Sequence, residues 1–244
     1  MEEQYSVFVN AGAVVLLSYS LSEQEKQDVL NSVLFAQLVA NKKYPEFVLG
    51  DGWYETCLGV LKDGWLQQAV AWNSFGIDEP SKCAMVEWVG SQLEHSPDRT
   101  TVARVVDVFN DIARLPGNHP LIELLCEQTH RQKTIEVSEG TADAVCDVRL
   151  QLIVVRQGAV MSSLFVEFRT ATQAISHPLD YLFTFENVLG RINLRWFEAN
   201  LSSVLYVSLR DAIIKKLSDR AVKNILGFSG DQSTEVPPMA GKPL

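Results

Sequence analysis

The sequence predicts an α+β fold, in which a helical N-terminal half packs with a four-stranded antiparallel meander and one C-terminal amphipathic helix. Three observations lead to this prediction. Apolar residues recur at helical spacing before Val145, and they alternate at every second residue from there to about Asn200. After this region, apolar residues return at a spacing of four, which is typical of a single helix.

The first half is predicted to hold four or five helices. Ser22 and Glu25 have the spacing of a capping box, and the helix that they begin must end before Pro45. Trp65–Phe75 fits either a helix or a strand. The other helices are expected in three places: residues 52–62, from the Ser96-Pro97 start signal to before Pro116, and about Leu121–Thr129.

The second half is predicted to form the sheet. Gln157-Gly158 suits a tight hairpin turn between the first two strands, because glycine tolerates positive φ. Such alternation indicates one face on a core and one wetter face, on which Arg149, Arg169 and Arg195 fall. The four runs are Val145–Arg156, the return strand from Val160, Tyr181–Glu186 and the strand around Ile192–Trp196.

The C-terminal helix is predicted to cover the apolar face of this sheet, with Gly227 as its C-cap. Its apolar side chains are Leu205, Leu209, Ile213, Leu217, Ala221 and Ile225. We expect a single integrated domain over residues 1–228, because the sheet alone would leave one face uncovered. Within it we place helices in 1–140, the sheet in 145–200 and the last helix in 203–226, followed by a flexible tail at 229–244.

Composition is that of an ordinary globular protein, with 47% hydrophobic and 21% charged residues among 244. The net charge of −9 is uneven: residues 1–140 carry 10 basic and 20 acidic side chains, whereas residues 141–244 carry 11 and 10. An acidic half repels phosphates, so we expect no nucleic-acid partner. An anionic partner is expected to meet the second half.

No catalytic or metal-binding motif stands out. The cysteines are not paired in CxxC motifs, and Cys126 with His130 makes only half of a zinc site. Serine-hydrolase, dinucleotide-binding and P-loop signatures are missing from the sequence. We therefore predict no metal and no cofactor, and we favour a non-enzymatic protein without excluding an enzyme.

The N-terminus begins Met-Glu-Glu and lacks the basic region of a secretory signal. The expectation is synthesis in the cytoplasm, with export by a route that needs no cleaved signal left open.

Aromatic side chains supply the candidate binding residues, because they bury the most area at cores and interfaces. Trp53, Tyr54, Cys57 and Trp65 could line a ligand pocket, although a packed core explains the same cluster. The candidate interaction residues on the sheet are Tyr181, Phe183, Phe185 and Trp196.

Several segments resemble poorly characterised microbial virulence-associated or toxin-like proteins that lack signal peptides. These segments are Asp28–Tyr44, Trp53-Tyr54, Gly59–Trp65, and Tyr206–Lys216 with Ala221, about a third of the chain. The resemblance implies a role against another organism. It carries no catalytic motif, so it implies no site residues.

Three hypotheses about function follow. The first is a non-enzymatic toxin-like or virulence-associated protein that binds a membrane, a lipid or a host partner. The second is a small-molecule-binding or acyl-handling enzyme that uses a cysteine such as Cys57 in an aromatic pocket. The third is a structural or self-assembling module that associates through a sheet edge; the oligomeric state is left open.

Overall fold

A mixed eight-stranded sheet forms the centre of the fold, and helices pack on both of its faces. The computed structural model describes residues 4–75, 82–84, 99–138, 141–171, 177, 179, 181–184 and 186–228. Along the sheet the strand order is β10-β1-β2-β6-β7-β9-β3, and β5 pairs with β6 beside this path. The α+β class is therefore confirmed, whereas the four-stranded sheet is not.

The prediction of a helical first half is wrong at its beginning and at its end. β1 (Tyr5–Asn10) and β2 (Ala13–Ser18) form a hairpin, and β2 runs parallel to β6, with Val15 beside Ile153. β2 is buried along its whole length, so its sequence is an unbroken apolar run without strand alternation. The polar stretch before Val145 contributes β5 (His130–Ser138).

The strands of the second half extend the sheet without forming the predicted meander. β6 (Thr141–Arg156) and β7 (Val160–Thr170) are joined at Gly158, where φ is +75°, so the predicted hairpin turn is confirmed. β7 pairs with β9 (Val188–Leu201), and β9 pairs with β3 (Trp65–Phe75). The third predicted strand does not join them, because β8 (Leu182–Thr184) pairs with β4 (Lys82–Ala84) in a separate ribbon.

Helices α1 (Glu23–Lys43) and α2 (Asp51–Leu61) cover one face of the sheet. The predicted capping box begins α1: the Ser22 hydroxyl accepts from the Glu25 amide at 3.3 Å, and the Glu25 carboxylate accepts from the Ser22 amide at 2.8 Å. Beneath the two helices lie Ile153, Phe165 and Phe197 of the central strands.

Helices α3 (Arg99–Ala113) and α4 (Pro120–Thr129) cover the opposite face. Their buried side chains, which include Phe109 and Ile122, meet the row that Val148, Leu150 and Leu152 form on β6. The Ser96-Pro97 start signal predicted for α3 lies outside the described residues.

Both faces of the sheet are buried at the central strands β2, β6 and β7, so the expectation of a wetter face is wrong there. The Arg169 side chain stays 34% exposed. Arg149 and Arg195 project from the face under α1 and α2, where they are 4% and 5% exposed. Alternation at every second residue shows that the two faces of a strand differ in polarity, but it does not show that the polar face is exposed. A covering layer that carries its own charges can bury the polar face.

The C-terminal segment also differs from the prediction. It forms α5 (Ser203–Leu217), the short α6 (Arg220–Asn224) and β10 (Ile225–Phe228), which pairs with β1. The buried side chains of α5, Tyr206, Ile213 and Leu217, pack with Leu34 of α1, so α5 adds a further layer outside α1 and does not cover the sheet. Gly227 lies in β10 and is not a C-cap.

The single-domain boundary remains a prediction, and the predicted tail at 229–244 lies outside the described residues. Within the described residues, none of the helices combines the length and the apolar character that crossing a bilayer requires.

Candidate functional site

The predicted pocket residues are brought together, and they are packed in the core. Trp53 stacks on Phe165 with ring centroids 5.5 Å apart, and the Tyr54 ring lies 5.1 Å from the same phenylalanine. The indole N–H of Trp53 donates to Asn41 Oδ1 at 2.7 Å, and that of Trp65 donates to Ser32 Oγ at 3.1 Å. Both indoles thus have their polar atoms satisfied inside the fold.

A void of about 10 Å³ lies beside Trp53, between α1 and the sheet. This volume corresponds to no more than one water molecule. Cys57 is buried, and burial raises the pKa of its thiol to about 12, so the thiol is protonated at neutral pH. The hypothesis of a cysteine enzyme stays a prediction. The Cys57 thiol, buried and protonated, is not an activated nucleophile in this geometry.

The aromatic candidates on the sheet do not form one surface. Tyr181 is buried, and its hydroxyl lies 2.5 Å from Thr170 Oγ1, while its ring lies 5.2 Å from Phe168. Trp196 is partly buried against the core that α3 and α4 cover. Phe183 lies in β8, away from the main sheet, and Phe185 lies outside the described residues.

Among the described residues, no group of three or more His, Cys, Asp or Glu is placed to hold a metal ion. His130 Nδ1 lies 2.8 Å from Thr129 Oγ1 and 3.3 Å from the Cys126 carbonyl oxygen. Burial lowers the pKa of His130 to about 4, so its ring is neutral at physiological pH. The predicted half-site of Cys126 and His130 thus forms part of a helix end.

A cluster of charged side chains lies on the face of the sheet beside residues 47–53, where α2 begins. The sequence alternation predicts these side chains on a wetter face. Glu167 accepts from Arg195 Nη1 at 3.1 Å and from the Gly50 amide at 3.1 Å. Asp147 accepts from Arg169 Nε at 2.6 Å and pairs with Lys133 at 2.9 Å. Burial acts to raise the pKa of Asp147, but these two cations outweigh burial and lower it.

Arg149 in this cluster has an aromatic environment. Its guanidinium lies 3.7 Å from the centroid of the Phe47 ring and 4.5 Å from that of Trp53, and its Nη1 has no hydrogen-bond partner. Burial lowers the pKa of Arg149 to about 10, which leaves it charged at neutral pH. These contacts dock α2 on the sheet, so we assign the cluster a structural role.

An open cleft of about 1070 Å³ lies at the end of the sheet where Tyr19, Arg156 and Asn200 meet. Its described lining combines amide, hydroxyl and ion-paired side chains, including the 3.1 Å pair of Arg156 with Glu198. Neither histidine nor cysteine belongs to that described lining, so it offers no nucleophile and base of the usual kind.

The most distinctive surface among the described residues is formed by α5 and α6. The Ser202 hydroxyl begins α5 by accepting from the Leu205 amide at 3.3 Å. With Tyr206, Ile213 and Leu217 directed at α1, the opposite side of the helix faces solvent. Val204, Val207 and Ile214 lie on that side, 79%, 56% and 48% exposed, and their spacing of three and seven residues forms one stripe.

Basic side chains border this stripe. Lys215 follows Ile214 and is exposed. Lys216 instead reaches back towards α1, where its Nζ lies 5.4 Å from the centroid of the Phe35 ring. Residues 203–224 carry five basic and two acidic side chains, a net charge of +3 in a chain of −9. We define the α5–α6 surface as Val204, Val207, Ile214, Lys215, Arg220 and Lys223.

The sequence pattern predicted a buried row on this helix but not the exposed aliphatic stripe. The apolar residues from Leu205 to Ile225 are spaced four apart, and this spacing predicts one buried face of the helix. The signal for the surface was the second set of aliphatic residues on the same helix. One helix cannot bury two opposite faces when a single layer lies beneath it.

No protein-family model and no curated protein sequence matches the chain. Solved structures that match the chain include a delta-endotoxin, at 10% identity and a TM-score of 0.44, covering 79% of this chain and 82% of that chain. The activated Cyt2Ba monomer from Bacillus thuringiensis subsp. israelensis is similar at 10% identity and a TM-score of 0.45, covering 79% of this chain and 98% of that chain.

The Evf virulence factor is similar at 12% identity and a TM-score of 0.35, covering 91% of this chain and 85% of that chain. The resemblance to toxin-like and virulence-associated proteins that the sequence suggested thus recurs among solved structures. With TM-scores below 0.5 these are loose similarities of arrangement.

Proposed function

We propose that the protein is a non-enzymatic toxin-like or virulence-associated protein that binds the surface of anionic membranes through the α5–α6 surface. One observation carries the proposal: an exposed aliphatic stripe bordered by basic side chains, on a segment whose charge is opposite to that of the chain. Helices that lie in a membrane interface combine these two features.

The magnitudes support reversible binding. Each basic side chain held near an anionic bilayer contributes about 1 kcal/mol, and the attraction falls off within a Debye length of about 10 Å at 0.1 M salt. Lys215, Arg220 and Lys223 provide three such side chains, with Asp211 and Asp219 opposing them. The acidic remainder of the chain is repelled, so attraction and repulsion together orient α5 and α6 towards the lipid.

Flotation with vesicles tests the proposal. We expect binding to vesicles of phosphatidylcholine with phosphatidylserine, weaker binding to phosphatidylcholine alone, and release by salt. Lys215→Glu combined with Lys223→Glu should abolish the binding, because both side chains are exposed. Failure of the wild-type protein to bind any anionic vesicle would contradict the proposal.

The matched control is Lys62→Glu combined with Arg114→Glu, which changes the total charge by the same amount at exposed positions outside the surface. This control should keep most of the binding. An equal loss in both double variants would mean that total charge, and not the α5–α6 surface, governs attraction. Dye release from the same vesicles tests whether binding also damages the membrane, as a toxin-like role requires.

A further inference from the structure

Among the described residues, the edge of the sheet formed by β3 carries no protection against pairing. Among the described strands, β3 is paired on one side only, with β9. Every residue from Leu66 to Asn73 is exposed, including Val70 at 51% and Trp72 at 68%. Alternate backbone N–H and C=O groups of an edge strand point away from its neighbour and remain available for pairing.

Sheet edges in proteins usually carry a device that prevents pairing, such as lysine, proline, a very short strand or a bulge. The opposite edge of the sheet is formed by β10, and its protection is its length of only four residues. β3 is eleven residues long and contains neither a charged residue nor proline. Its bulge, between Gln67 and Ala69, leaves the segment from Ala69 to Phe75 in regular register.

The sequence of that regular segment is complementary to itself. Two β3 strands can be aligned antiparallel with Ala71 of each copy at the centre. Val70 of one copy then lies opposite Trp72 of the other, Trp72 of the first lies opposite Val70 of the second, and both pairs are on the same face of the sheet. Aromatic and β-branched residues form favourable cross-strand pairs. On the other face, Ala71 meets its own copy at the two-fold axis, where a small side chain fits.

We propose that β3 pairs antiparallel with β3 of a second copy of this chain, forming a two-fold dimer with a continuous sheet. The uncharged strand brings no like charges together across the axis, and the dimer covers two exposed apolar side chains of each copy. This dimer is independent of membrane binding, because the α5–α6 surface is not part of it.

Light scattering after size exclusion tests the proposal over a range of protein concentrations. The wild-type chain should reach twice its monomer mass. Ala71→Lys and Ala71→Glu should each stay monomeric, because each places like charges opposite one another at the axis. An equimolar mixture of the two variants should recover the dimer, since the charges are then opposite.

Ala103→Lys, at an exposed position of α3, is the control for an added surface charge and should leave the dimer intact. Hydrogen exchange of the wild-type protein adds a measurement without substitution: within residues 69–74, the amides that point away from β9 should lose protection on dilution. A wild-type monomer at every concentration overturns the proposal. So does a dimer that Ala71→Lys leaves unchanged, which would place the interface elsewhere.

Discussion

Arg210 on α5 holds Asp28 on α1 through two parallel hydrogen bonds, from Nε to Oδ1 at 2.9 Å and from Nη2 to Oδ2 at 2.7 Å. The Asp28 side chain is 6% exposed and that of Arg210 is 25% exposed. Bidentate pairs of this kind fix orientation as well as distance. This pair therefore sets how α5 lies on α1, and with it the direction in which the aliphatic stripe faces.

Asp28→Ala should lower the free energy of unfolding by about 1–3 kcal/mol, because it removes charge-assisted hydrogen bonds that are largely buried. Urea unfolding measures the change. Lys223→Ala is the control, since its pair with Asp219 is 69% and 66% exposed, so that solvent screens the pair and its loss should change stability much less. Equal losses in the two variants would contradict a special role for the Asp28–Arg210 pair.

His130 should make the protein less stable in mild acid. In the unfolded chain its pKa is near 6.5, and in the folded protein burial lowers its pKa to about 4. Between these values the unfolded chain binds more protons than the folded protein, so stability falls as pH falls from 6.5 towards 4. From pH 7 to pH 5, the His130 contribution to this loss is about 2 kcal/mol.

Urea unfolding of His130→Asn at pH 7 and pH 5 checks this prediction. The variant should lose less stability between the two pH values than the wild-type protein does, because the His130 contribution is gone. His119→Asn is the matched control, because asparagine can replace the His119 side chain as the N-cap of α4. The expected result is a wild-type pH dependence in His119→Asn. If His130→Asn keeps the full loss between pH 7 and pH 5, another group is responsible.

Two glycines should respond to alanine in opposite directions. Gly158 has a φ of +75° in the β6–β7 turn, so Gly158→Ala should cost about 1–2 kcal/mol of stability even though space is open around it. Gly59 lies within α2 and a Cβ there meets nothing within 4 Å, so Gly59→Ala should gain about 0.5–1 kcal/mol. Thermal and urea unfolding of both variants measure the two signs, and a shared sign would contradict the assignment.

Local chemistry made several of these elements predictable. The Ser22–Glu25 capping box, the end of α1 before Pro45 and the Gln157-Gly158 turn depend on residues close together in sequence. The end of β6 at Arg156 followed from its own alternation, whereas the strand begins at Thr141, four residues before the predicted start at Val145. Such signals do not require knowledge of the partner element.

Pairing between distant segments was not predictable in the same way. β2 is buried on both faces, so it lacks alternation and reveals neither its strand character nor its parallel pairing with β6. Alternation along the strand predicted Arg195 on the wetter face, whereas in the structure it is buried and pairs with Glu167 and Asp51. The α5–α6 surface was not predictable for a related reason. The row of apolar residues that contains Leu209 predicts one buried helix face, but it does not say whether the sheet or α1 covers that face.

Asp211 gives a prediction specific to the membrane proposal. It is exposed on α5 within the aliphatic stripe, seven residues after Val204 and three before Ile214, so it should weaken contact with an anionic bilayer. Removing one charge near such a surface changes binding by about 1 kcal/mol, so Asp211→Asn should bind phosphatidylserine vesicles about fivefold more tightly. Asp63→Asn makes the same charge change at an exposed position before β3 and should bind like the wild-type protein. If both variants bind more tightly by the same factor, net charge governs attraction and the α5–α6 surface does not face the lipid.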